Sequence, residues 1–157
     1  MERGTLIFVS LSVSMALILV GANLLQAPPS IEEDDRILEV CLQTHTNDLM
    51  HYHANLSIVI RGENQVIPAE TGVIPGCMRG IHTHDDTGRL HIETPEEMEA
   101  RLEHFFQIWE QPFSSTQLLD ESVADGESIS LTVNGDLVED PRNHILADGQ
   151  ELVLMLE

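Results

Sequence analysis

Apolar and polar positions divide this chain into one long apolar run followed by short strand-like segments. From Thr5 to Leu25 no charged residue occurs, and Leu, Val and Ile dominate. At a rise of about 1.5 Å per residue, such a run just crosses the hydrocarbon core of a bilayer. Arg3 precedes it and Glu32, Glu33, Asp34 and Asp35 follow it, a charge order that keeps the start inside and exports the rest. The expected layout is a cytoplasmic tail at 1–4, a transmembrane anchor or uncleaved signal at 5–26, a linker at 27–36 and an extracytoplasmic domain at 37–157. Small residues at Val20-Gly21-Ala22 and Leu25-Gln26-Ala27 leave cleavage and secretion as the alternative.

Within the domain, period two comes first. Tyr52, Ala54, Leu56, Ile58 and Ile60 alternate with His51, His53, Asn55, Ser57 and Val59, which predicts a strand over 51–60. A turn at Arg61-Gly62-Glu63-Asn64 leads back through Gln65 to Ile67, and an irregular loop follows from Ala69 to Gly80. Ile81 to Glu93 reads as a hairpin turning at Asp85 to Gly88. Only an even-numbered loop keeps Ile81, Thr83, Leu90 and Ile92 on one face, because a slip of one residue moves every side chain to the other side. That register sets His82 opposite His91 and puts His82, His84, His91 and Glu93 together on the second face.

Period 3.6 appears once. Thr94 is the expected N-cap, with Pro95 at the first helical position and Glu97 closing a capping box. Met98, Leu102, Phe105 and Trp109 then form a buried stripe, His104 falls off it toward the expected surface, and Pro112 ends the helix. Ile129, Leu131 and Val133 alternate into Asn134-Gly135, a hairpin signal, and Leu152 to Leu156 is apolar on both faces like a central strand. The expected fold class is α+β: an antiparallel sheet built from hairpins, with one main amphipathic helix.

Charge narrows the partners. The chain has seven Arg and no Lys against 27 Asp plus Glu, a net charge of −20 that lies wholly beyond the apolar run. Such a surface repels nucleic acid and anionic lipid headgroups and concentrates cations. Nucleic acid is therefore not an expected partner, the membrane is contacted through the N-terminal segment, and no protein partner can be named. Cys41 and Cys77 lie on the exported side, where an even count predicts a disulfide; thiolate ligation of a metal is the alternative.

The histidines carry the candidate chemistry. His51-Tyr52-His53 and His82-Thr83-His84 are each two-ligand units, since residues i and i+2 of a strand project to one side. With His91 they offer five imidazoles, which suit copper or zinc, and Asp85 or Glu93 can orient such ligands through their outer nitrogens. A polar sheet face that happens to hold histidine is the plain alternative. Catalysis is weakly supported: Ser114 and Ser115 lack a glycine elbow, and no Glu stands out as a general base. The expected function is non-catalytic binding of a transition metal, Cu or Zn. A sensory or interaction module of a membrane assembly, answering to pH or a partner, is the second reading, and a metal-dependent hydrolase the third.

The stretches His51-Tyr52-His53-Ala54-Asn55-Leu56-Ser57-Ile58, Ile81-His82-Thr83-His84-Asp85 with Gly88, and Leu90-His91-Ile92-Glu93 together resemble a family of uncharacterised small exported or membrane-anchored proteins of bacteria and archaea. Phe105-Phe106-Gln107-Ile108-Trp109 and Val133-Asn134-Gly135 are similar to its later elements. The resemblance covers most of residues 41–157 and implies architecture and export, with no activity to carry over. Glu110 stands where that pattern leads one to expect Gly.

Overall fold

The computed structural model describes residues 33–44 and 49–157. The tail and apolar segment at 1–26, and linker residues 27–32, lie outside the described residues. Among the described residues no helix is long and apolar enough to cross a membrane.

The chain is mostly sheet with one α-helix. A 3-10 helix, Glu33–Glu39, comes first, overlapping the end of the stretch read as linker, and its Arg36 pairs with Glu96 at 2.6 Å. The strands are β1 (Met50–Ile60), β2 (Glu63–Gln65), β3 (Val73–Ile74), β4 (Cys77–Met78), β5 (Ile81–His82) and β6 (Arg89–Thr94). Helix α1 (Leu102–Trp109) follows, then β7 (Gln117–Leu118), β8 (Glu121–Ser122), β9 (Ile129–Val133), β10 (Asp136–Val138) and β11 (Gln150–Leu156). The main sheet runs β10-β9-β11-β1-β6-β5, with β2 paired to β1.

Alternation along β1 buries Ala54, Leu56, Ile58 and Ile60, which join Leu90, Ile92, Leu131, Leu152, Leu154 and Leu156 on the packed face. Leu102, Phe105 and Phe106 of α1 complete that core. Each such side chain contributes about 1.5–3 kcal/mol through burial. The hairpin β9–β10 turns at Asn134-Gly135, both at positive φ, as a two-residue loop requires.

Three expectations change. The sheet is not wholly antiparallel: β1 and β11 run parallel, with Leu56 opposite Leu152 and Ile58 opposite Leu154. Strand direction leaves no mark on an alternating pattern, and a central strand apolar on both faces suits a parallel neighbour. The helix also begins later than Thr94. Thr94 is instead the last residue of β6, paired with Met50, and its hydroxyl donates to Glu96 O at 2.7 Å. Residues 100–103 then lie along 142–146: Leu102 and Glu103 N–H donate to the carbonyls of His144 and Arg142, and Leu146 N–H to that of Ala100. These long-range bonds hold the chain extended until Arg101, the true N-cap. His104, expected at the surface, is fully buried. It is the third helical residue, and its Nδ1 accepts the Arg101 backbone N–H at 3.1 Å, while Nε2 lies 3.4 Å from Asp35 Oδ1.

At the other end of α1, Glu110 takes φ 59°, ψ 32°, a left-handed conformation that crowds any Cβ. Replacing Glu110 by Gly is expected to stabilise the fold by about 0.5–1 kcal/mol. Thermal unfolding checks this; a lowered midpoint would contradict it.

Candidate metal centre

β6 lies between β1 and β5, so its outward side chains have neighbours on both sides. His91 is the Cα partner of His53 on β1 and of His82 on β5, and Glu93 is the partner of His51. Ile81 pairs with Ile92, which is the register that the burial pattern of the hairpin requires. The backbone around the first pair is pinned by the segment before β11: His53 N–H donates to Asp148 Oδ1 at 3.1 Å and Gly149 N–H to His53 O at 2.7 Å.

On the β1 side four donor atoms form a closed circuit. His51 Nε2 lies 3.3 Å from His53 Nε2, which lies 3.2 Å from His91 Nδ1. His91 Nδ1 is 3.8 Å from Glu93 Oε1, and that oxygen is 3.2 Å from His51 Nε2. Donors around one tetrahedral ion with bonds of about 2.0–2.1 Å stand roughly 3.3–3.4 Å apart. Glu93 is fully buried, so its carboxylate sits under the imidazoles instead of in solvent.

On the β5 side His82 Nε2 and His84 Nε2 face each other at 3.3 Å. Their outer nitrogens face acceptors: His82 Nδ1 lies 3.0 Å from Arg79 O, and His84 Nδ1 lies 3.8 Å from Glu70 Oε1. A carbonyl can only accept, so Nδ1 of His82 carries its proton and Nε2 presents a lone pair. An outer-nitrogen bond of this kind fixes the tautomer and raises ligand basicity at metal sites. His51, His53 and His91 form one group whose donors all lie within 4.8 Å, and His82, His84 and His91 form another.

The face that the alternation predicts as solvated is half covered. His82 is fully buried because the loop between β2 and β5 folds over it. Thr71 N–H donates to Thr83 Oγ1 and Thr83 N–H to Thr71 O, while both threonine hydroxyls donate to Pro68 O. Gly72 passes so close that a Cβ there would stand 2.7 Å from Ile81 O, and at φ +79° only glycine sits without strain. The disulfide Cys41–Cys77 ties this loop, through β4, to the end of the 3-10 helix. Cys41 and Cys77 are thus bonded to each other and supply no thiolate. Exposure remains at His51 and His84, whose side chains are 46% and 37% accessible.

Burial, and after it the closeness of His53, His84 and His82, whose protonation would oppose its own, push His91 down to about 4, and burial also lowers His53. Both rings are therefore neutral and able to donate lone pairs near pH 7. In the metal-free protein the unfolded chain takes up a proton near pH 6.5, whereas folded His91 resists until about 4. The unfolded state binds more protons across that window, so stability is fully present above about 6.5 and falls as pH drops toward 4. The expected loss is about 1–2 kcal/mol after solvent screening. Urea unfolding with chelator present measures it, and His91→Gln should flatten most of the slope; an equal slope in that variant would contradict the assignment.

Of the residues singled out in the sequence, His51, His53, His82, His84 and His91 converge, and Glu93 Oε1 lies against His51 and His91 without belonging to either donor group. Asp85 does not: its Oδ1 accepts from Thr87 N–H at 2.9 Å and Thr87 Oγ1 at 2.5 Å, an Asx turn. The carboxylate facing His84 is Glu70, and the partner of His82 is the Arg79 carbonyl. Both come from the irregular loop, where no periodicity marks them. His144 lies apart, with Nε2 3.3 Å from Gln150 Oε1. No known protein family, curated protein or solved structure matches the chain.

Proposed function

We propose that this protein is a non-catalytic transition-metal-binding protein, copper or zinc being the ions its imidazoles suit, working outside the cytoplasm and anchored by its N-terminal apolar segment. The observation that carries the reading is the facing pair at β5: two Nε2 atoms 3.3 Å apart, with their outer nitrogens turned to a carbonyl and a carboxylate. With its proton on Nδ1, His82 presents its Nε2 lone pair toward His84 Nε2, a place that an N–H of His84 fills in the metal-free protein and that an ion can take over. Partly exposed His51 and His84 give an ion access, and the acidic surface raises its local concentration. The disulfide accords with an oxidising location.

The test is metal analysis of the full chain followed by calorimetric titration with Zn²⁺ and Cu²⁺. Stoichiometric binding is expected, with its loss at the β5 side in a His82→Ala/His84→Ala variant that keeps its circular dichroism. Unchanged binding in that variant would return these histidines to a polar sheet face.

A further inference from the structure

The two histidine groups share one member, and that member stands between them. His51 and His53 come from β1, His82 from the end of β5 and His84 from the bend that follows it, and β6 separates β1 from β5. His91 on β6 pairs with His53 on one side and His82 on the other. Its ring centroid lies 4.4 Å from that of His53 and 4.6 Å from that of His84. Nδ1 of His91 belongs to the β1 side, 3.2 Å from His53 Nε2 and 3.8 Å from Glu93 Oε1. The second nitrogen of an imidazole diverges from the first, and each can bind independently. Five imidazoles and a carboxylate also exceed the four donors that one tetrahedral ion takes.

Resting on the metal-binding reading, we propose that the loaded centre holds two ions and that the ring of His91 bridges them, Nδ1 on the β1-side ion and Nε2 on the β5-side ion. The first ion takes the Nδ1 lone pair of a neutral ring whose proton sits on Nε2. When the second ion binds, the Nε2–H bond breaks, the proton passes to solvent, and the freed lone pair forms the new bond. Nothing is oxidised or reduced; one proton leaves per bridge formed. The buried Glu93 carboxylate and the anionic ring together offset part of the charge of two divalent ions.

Electron paramagnetic resonance of the full chain in detergent, stripped with chelator and titrated with Cu²⁺, decides it. One equivalent is expected to give an isolated-ion signal, and the second equivalent to reduce that signal as the two spins couple through the ring. Zn²⁺ calorimetry in two buffers of different ionisation enthalpy should show one proton released with the second ion. His84→Ala, a change at a partly exposed side chain, should keep one ion and an uncoupled signal. Saturation at a single ion would overturn the bridge while leaving the metal-binding reading intact. Two ions with additive signals and no proton release would mean separate sites and would overturn it equally. Absence of any bound ion would remove both.

Discussion

Replacing His91 by alanine is expected to weaken Zn²⁺ or Cu²⁺ binding at both histidine groups at once, by at least about 100-fold each. Losing a hydrogen-bond partner of a metal ligand typically costs 10–100-fold in affinity, and losing a donor atom costs more. His91 belongs to both histidine groups, whereas His51, His53, His82 and His84 each belong to one. His144→Ala, outside both groups, should leave affinity unchanged. Competition against a chromophoric chelator measures all three proteins on one scale. If His91→Ala binds as tightly as the parent, the shared position has no part in holding metal. Because His91 is already neutral in the folded metal-free protein, the variant should also lose less stability at low pH than the parent, so a binding defect from misfolding would be visible separately.

The second large effect concerns the disulfide. Opening Cys41–Cys77, through paired substitution by alanine, is expected to destabilise the protein by about 4 kcal/mol, the loop-entropy value for a separation of 36 residues. Denaturant unfolding of the parent and the double variant gives the difference directly; a loss below about 1 kcal/mol would mean that the loop is held by other contacts. A functional consequence should follow. β4 carries Cys77, and two residues later Arg79 supplies the carbonyl that fixes the His82 tautomer at 3.0 Å. Releasing β4 loosens that carbonyl, so metal affinity at the β5 side should fall before the β1 side is touched. Leu42 and Met78 still exchange backbone hydrogen bonds, N–H to O at 2.9 and 2.8 Å, which should limit the displacement.

The two predictions meet at one physical point. The metal-free centre crowds polar groups together: two imidazole nitrogens 3.3 Å apart on the β5 side, and a buried carboxylate beneath imidazoles on the β1 side. Burying such groups costs free energy that core packing and the disulfide must offset. An ion returns that cost as affinity. Ligand binding to the folded state alone also raises apparent stability, so added Zn²⁺ should raise the unfolding midpoint of the parent.

Local order was legible in the residues themselves. Alternation from His51 to Ile60 is enough to place a strand, its core face and its two outward histidines, because the side-chain period of a strand is two. The hairpin register followed from burial alone: Ile81 and Ile92 must share the packed face, and that forces His82 opposite His91. Asn134-Gly135 needed no context, since few residues take positive φ in a two-residue turn. Pairing between distant segments was another matter. Nothing in the pattern told that β11 lies parallel to β1, that β6 stands between the two His-x-His segments, or that backbone bonds from 142–146 delay α1 until Leu102. Hydrophobic period records which face of an element is buried, not which neighbour buries it. The same limit explains His82, Glu93 and His104, outward by period yet fully buried, because the loop before β5, the neighbouring imidazoles and the 3-10 helix cover them in turn. Residue type and spacing determined which imidazoles were available; only strand order decided that His91 stands in the middle.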